Sequence, residues 1–379
     1  MRFRDFDTAL FLREYWQKRP LLIRNPWEDW SNPLDPDELA GLACEEGVES
    51  RLITWQAGNA AMESGPLPED RFEKLEGTTC TLLVQAVDHH VPAVAALIAP
   101  FRFVPDWRID DVMVSYAVDG GGVGPHFDQY DVFLVQGLGR RRWRVGPFCD
   151  ADTPLQSNED LRLIAEFETT DEWVLEPGDI LYVPPGFAHD GVAVGDDCMT
   201  YSVGFRAPSR AELLEGWAET RADTLVDADR YADPELPVQD NPGEITPEAL
   251  GRLQAMVLEA LGDRDGFAQW FGEFTSLPKY PDIDWRPEQP MELDEVRELL
   301  ASGAALCRNP ASRFAFIRQD DGAILLFVDG QTFPCTGDDA AFAQLLGAAP
   351  EAVFGPHSVS AALVAALVNQ GSLAFEEAE

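Results

Sequence analysis

The rhythm of apolar and polar positions changes twice along the chain, and each change marks a different kind of structure. Residues 1 to about 100 mix the two common periods. Asp7 to Gln17 reads as a helix and Pro20-Leu-Leu-Ile-Arg24 as a strand. Asp35-Pro-Asp-Glu-Leu39 opens a second helix, whose acidic first turn suits the helix dipole. Thr79 to Val87 alternates loosely and leads to His89-His90, and Pro92 to Ile98 reads as a short apolar helix. From Ile109 to Arg206 the chain switches to short β-type runs: 112–118, 132–135, 142–145, 172–175, 180–183 and 200–203. Turns rich in Gly, Pro and Asp separate them, which predicts an antiparallel barrel or double-sheet jelly roll.

After Ser209 the pattern turns helical. Ser209 to Arg221 is one helix, and an acidic, proline-containing connector runs from Asp227 to Glu244. Thr246 is a good N-cap with Pro247 behind it, and Gly262 can end that helix. Phe267, Trp270, Phe271 and Phe274 repeat at helical spacing, which favours a core or subunit contact over a cofactor box. Pro281 to Pro290 reads as a linker. Beyond it the pattern gives a helix (Leu293 to Ala301), a hairpin (Phe314 to Phe333, turning at Asp321-Gly322), two helices and a final strand, as in a winged helix. The fold expected is α+β, with a β domain over residues 1–208, a helical region over 209–285 and a winged-helix-like domain over 290–379.

Charge narrows the function. The 379 residues carry 28 Lys+Arg against 67 Asp+Glu, a formal net charge of −39. Such a surface repels phosphate, so nucleic acid and anionic membranes are unsuitable partners, whereas a basic partner fits. Residues 291–379 have only Arg297, Arg308, Arg313 and Arg318 against 13 acidic residues, so the winged-helix-like part suits a protein-contact or structural role. Lys18, Lys74 and Lys279 are the only lysines, a bias that also suits a salt-adapted source, where salt screens the self-repulsion. The six cysteines form no CxxC pair, which predicts reduced thiols. No apolar signal core follows Met1 and no run is long enough to span a membrane, so the expected location is the cytoplasm.

The chemistry concentrates in Gly120-Gly-Gly-Val-Gly-Pro-His126-Phe-Asp128-Gln-Tyr130-Asp131. This glycine-rich stretch lacks a P-loop ending. On a strand, His126 and Asp128 would share one face. Pro177-Gly-Asp-Ile-Leu-Tyr-Val-Pro-Pro-Gly-Phe-Ala-His189 offers a third ligand, and two histidines with one carboxylate suit non-haem Fe(II) with positions left open for a chelating cosubstrate and O₂. Arg140, Arg141 and Arg142 follow on the next strand, where alternation lets only some of them face inward to hold a carboxylate. Asp111, Met113 and Ser115 share one strand face that would suit a cationic side chain or ordinary half-buried packing. His89, His90 and His357 lack any comparable context.

Taken together, these motifs resemble the JmjC family of 2-oxoglutarate- and Fe(II)-dependent oxygenases. They are most similar to its bacterial ribosomal oxygenases, which hydroxylate an arginine of protein sixteen of the large ribosomal subunit. Besides the stretches above, the resemblance rests on Tyr15 to Arg24, Trp107 to Asp111, Gly139 to Val145, Tyr201 to Pro208 and Gln269 to Phe274. It implies a double-stranded β-helix of the cupin type, a helical dimerisation region and a winged helix without nucleic-acid function. It puts the metal triad at His126, Asp128 and His189 and the cosubstrate's basic anchor at Arg141. Ser115, Thr200 and Ser202 would line the cosubstrate site, and Asp111, Met113 and Tyr130 the pocket for the substrate arginine. Thr200 departs from the asparagine expected in relatives.

The resulting expectation is a cytoplasmic, homodimeric peptidyl-arginine 3-hydroxylase that uses Fe(II), 2-oxoglutarate and O₂ on a basic ribosomal protein. The alternatives are a related oxygenase for another residue or a small molecule, a zinc cupin, and a non-catalytic cupin interaction protein.

Overall fold

The structure is a computed structural model that describes residues 1–157, 161–348 and 358–376. Its strands up to Phe205 are β1 (Leu21–Ile23), β2 (Ser50–Gln56), β3 (Asn59–Ser64), β4 (Thr79–Val84), β5 (Ile109–Ala117), β6 (Asp131–Leu138), β7 (Arg141–Phe148), β8 (Asp171–Leu175), β9 (Ile180–Val183), β10 (Phe187–Ala193) and β11 (Cys198–Phe205). They form an eight-stranded sheet in the order β1-β9-β6-β11-β5-β4-β2-β3 and a three-stranded sheet in the order β10-β7-β8.

Alternation along these strands builds two cores on opposite faces of the large sheet. Phe133 and Val135 of β6 join Tyr182 of β9 and Tyr201 of β11 in a large cluster that Phe11, Trp27 and Phe101 complete from outside. Val132 and Leu134 point the other way, onto Trp143, Val145 and Leu175 of the small sheet. The same period sends Asp111, Met113 and Ser115 of β5, and Thr200 and Ser202 of β11, away from the large cluster. The jelly roll expected from the short β runs is therefore present.

The hairpin of β2 and β3 falls in the part of the chain read as mixed, and the expected strand from Thr79 forms as β4. Pro92 to Phe101 is one short α-turn followed by a 3₁₀ turn.

The helical region comprises helices Arg210–Ala222, Pro247–Leu261 and Arg264–Ser276. Thr246 caps the second by accepting from Ala249 N. The aromatic stripe packs inward, with Trp270 buried and Phe267, Phe271 and Phe274 half-buried. Trp270 lies 5.8 Å from Trp217 and 5.1 Å from Phe274, and Phe271 packs edge-on to Trp107 at 5.6 Å. Gly272 meets Phe327 so closely that an added Cβ would fall 2.4 Å from its ring, so this helix lies directly on the C-terminal sheet.

That sheet corrects one expectation. The run read as a single hairpin is a three-stranded meander of Phe314–Arg318, Ile324–Val328 and Gln331–Cys335. Its second turn uses Asp329 and Gly330, both at positive φ (49° and 80°). Helices Leu293–Ser302, Gly337–Ala348 and Ala361–Asn369 cover it through Val296, Leu346 and Leu367. His357 lies outside the described residues.

Candidate active site

The glycine-rich stretch delivers His126 between the two sheets, by a route other than the expected strand. His126 makes a single antiparallel bridge with His189 of β10, with N–H···O bonds of 3.0 and 2.8 Å exchanged between them. The chain then turns, and Asp128 is held by Gly186 N donating to its carbonyl at 2.7 Å. Bridge and turn together bring all three side chains to one point, where their ligand atoms lie within 4.8 Å of one another. Asp128 Oδ2 is 3.8 Å from His126 Nε2 and 3.5 Å from His189 Nε2. Gly124 makes the approach possible. It sits at φ +100°, and a Cβ there would press on Leu163 at 3.2 Å and Trp55 at 3.3 Å.

Both imidazoles are oriented from behind. His126 Nδ1 lies 2.8 Å from Gly124 O and His189 Nδ1 lies 3.1 Å from Phe187 O. A carbonyl accepts only from N–H, so the proton sits on Nδ1 and the Nε2 lone pair faces Asp128. Burial, helped by the neighbouring His126, pushes His189 down to about 4, so it is neutral near pH 7. Two imidazole Nε2 atoms and one carboxylate oxygen converge on one point, and this donor set fits Fe(II).

Trp143 lies between the triad and a group of polar residues, 5.9 Å from His189 and 5.8 Å from the Arg141 guanidinium. Among the three successive arginines, Arg140 and Arg142 are exposed and Arg141 is 3% exposed. Its guanidinium touches Gly191 O and Ser115 Oγ only at 3.5 Å, and its buried Nε has no partner. No carboxylate pairs with it among the described residues. A buried cation in that state calls for an anion. Thr200 and Ser202 lie on the same inward face, with Thr200 opposite Ser115 and Ser202 opposite Met113. The Thr200 hydroxyl donates to Gln136 Oε1 at 3.3 Å, and Gln136 donates in turn to Leu138 O and Met199 O. Sequence reasoning missed buried Gln136, the partner of Thr200, since this glutamine sits inside an otherwise apolar run.

Along β5, Met113 packs on the cluster of Ile53, Leu83 and Leu163, and Asp111 is 3% exposed. Burial pushes the Asp111 carboxyl up, while Lys279 opposes the rise. Sequence reasoning also missed Lys279, which lies 168 residues further along the chain. Tyr130 is 43% exposed, and burial of its hydroxyl end beside the Asp128 carboxylate raises the phenol. His89 and His90 lie apart from the triad in the turn after β4. Burial pushes His89 down to about 3, in keeping with an ordinary buried histidine.

Comparison with known proteins agrees with this geometry. Residues 96–213 match the family model of the JmjC domain, and residues 258–374 match that of the ROXA-like winged helix. The chain is 41% identical over 370 residues to the ribosomal protein uL16 3-hydroxylase of Escherichia coli, covering 97% of each chain. It is 34% identical over 331 residues to a probable ribosomal oxygenase of Haemophilus influenzae, covering 84% of this chain and 78% of that one. The solved structure of YcfD, a ribosomal oxygenase from E. coli in complex with cobalt and 2-oxoglutarate, superimposes with a TM-score of 0.86 at 39% identity over 99% of each chain. The same protein with cobalt and succinic acid gives 0.85 at 38% identity, again over 99% of each chain. The fold, the convergent His-Asp-His group and these relatives agree: the chain belongs to the JmjC-domain ribosomal oxygenases and is a 2-oxoglutarate-dependent oxygenase with a C-terminal winged helix.

Proposed function

We propose that the enzyme hydroxylates the β-carbon of an arginine in protein sixteen of the large ribosomal subunit. The observation that carries this reading is the pairing of a convergent His-Asp-His group with a buried arginine that no carboxylate compensates, His189 and Arg141 both packing against Trp143. His126, Asp128 and His189 would hold Fe(II). A metal held there would supply, with 2-oxoglutarate and O₂, the oxidation of a C–H bond to C–OH, coupled to release of succinate and CO₂. The chain's own residues do the positioning. Arg141 binds the far carboxylate of 2-oxoglutarate through two guanidinium N–H groups, and Ser115, Thr200 and Ser202 line that end. Asp111 pairs with the substrate guanidinium while Met113 and Tyr130 flank its stem, which holds the target carbon near the metal. The excess of carboxylates over the whole chain complements a basic ribosomal protein.

We assign catalysis to residues 1–208, dimerisation to 209–285 and a protein-contact role without nucleic-acid binding to 290–379, in a cytoplasmic homodimer. Helix Pro247–Leu261 supports the dimer. It leaves Leu250, Leu253, Val257 and Leu258 between 43% and 62% exposed, an apolar face that a second copy can cover. Succinate formation tests the reading. Protein loaded with Fe(II) should turn over 2-oxoglutarate faster when the ribosomal protein is added. A zinc-dependent activity, or succinate release indifferent to that substrate, would count against it.

A further inference from the structure

Strand β5 carries two successive carboxylates, and one ammonium joins them. Lys279 Nζ lies 2.8 Å from Asp110 Oδ2 and 3.1 Å from Asp111 Oδ2. Asp111 Oδ2 also accepts from Gln85 Nε2 at 2.9 Å and from Ala86 N at 2.8 Å. Three donors on one oxygen fix the plane of the carboxylate. Among the described residues no donor reaches the other oxygen, Oδ1. Asp110 is held from its far side by Arg313 Nη2, 2.7 Å from Oδ1. Arg313 immediately precedes strand Phe314–Arg318 of the winged helix, and Lys279 follows helix Arg264–Ser276. A four-group chain of alternating charge thus runs from Arg313 of the winged helix to Asp111 on β5.

Two effects of Lys279 oppose each other. A cation beside Asp111 competes with an incoming guanidinium. Without that cation, two neighbouring carboxylates in a dry setting repel, and one takes up a proton. The geometry decides between them, because Lys279 sits on the oxygen already committed to Gln85 and Ala86. We infer that Lys279 is a positioning residue for the substrate's cationic side chain: it fixes Asp111 through one oxygen and leaves the other to the substrate guanidinium, with Asp110 and Arg313 holding Lys279 in place. This rests on the proposed reading of Asp111 as the ion partner of the substrate. It gives the winged helix a part in substrate binding rather than in chemistry.

The test is steady-state hydroxylation of a ribosomal-protein fragment carrying the target arginine, by full-length enzyme with Fe(II), 2-oxoglutarate and O₂. Lys279→Met should raise the KM for the fragment about tenfold, with kcat and the KM for 2-oxoglutarate each moving less than about twofold. Lys279→Arg, which keeps the charge and can bridge the same carboxylates, should recover most of the loss. Arg313→Gln should give a smaller rise of the same kind, and it carries the test if Lys279→Met does not fold. Asp111→Asn runs alongside. If Asp111→Asn raises KM and the Lys279 and Arg313 variants do not, the pocket reading stands and the positioning role falls. A lower KM in Lys279→Met would make Lys279 a competitor and overturn the inference. Unchanged KM in all the variants would overturn both.

Discussion

Replacing Arg141 with methionine should make the ligand-free protein more stable and the cosubstrate site nearly useless. Arg141 is 3% exposed, touches its two polar neighbours at 3.5 Å and leaves Nε unpartnered. Burying a polar group without its partner costs about 1–3 kcal/mol, and methionine of similar length removes that cost. The ligand-free melting temperature should therefore rise by a few degrees, at roughly 2–4 °C per kcal/mol. Binding of 2-oxoglutarate should fall steeply. Deleting one member of a buried charge pair costs about 3–5 kcal/mol, or roughly two to four orders of magnitude in affinity. Thermal melts with and without 2-oxoglutarate read both effects at once: the wild type should gain stability from the ligand and the variant should not. A variant that melts lower without ligand and still gains as much from 2-oxoglutarate would show that Arg141 is structural and that the anchor lies elsewhere.

Three further outcomes follow from the same geometry. Gly124→Ala forces a side chain into φ +100° and against Leu163, so it should cost about 1–3 kcal/mol of stability and weaken metal affinity, read by urea unfolding and metal titration. Because burial lowers His189 from 6.5 to about 4, the folded metal-free chain binds fewer protons there than the unfolded chain in that window. The stability His189 contributes is thus present above pH 6.5 and lost as pH falls toward 4, and His189→Gln should flatten that part of a urea-midpoint pH profile. Leu253→Asp, on the exposed face of helix Pro247–Leu261, should convert a dimer to monomer in analytical ultracentrifugation while leaving metal binding intact.

Much of the site was legible because its ligands lie on segments with strong local signals. His126 and Asp128 follow a glycine cluster, and His189 follows Pro184-Pro185-Gly186, so turn chemistry pointed to the places where the chain reverses beside a sheet. The geometric route was less legible, since the His126–His189 bridge is a long-range pairing with no local signature. The β2–β3 hairpin escaped notice because its turn is Ala57-Gly58, with Ala57 at φ 50°. Asparagine or aspartate normally announces such a turn and alanine does not. In the meander, Asp329-Gly330 is a turn signal of that kind, and the third strand it opens contains Pro334. It is tolerated because Gln331–Cys335 is an edge. Lys279 was invisible for another reason. A lone lysine in a proline-rich stretch carries no pattern, and only the fold brings it to Asp111.

The central claim is that the His126, Asp128 and His189 group hydroxylates an arginine of the ribosomal protein. Intact-mass and fragment-mass analysis of that protein, after incubation with enzyme, Fe(II), 2-oxoglutarate and O₂, tests it most directly, with His126→Ala as control. A gain of one oxygen atom confined to an arginine, absent in the control, is the expected result. An unchanged mass while 2-oxoglutarate is consumed would contradict the substrate, and an unchanged mass with no consumption would contradict the oxygenase reading of the triad itself.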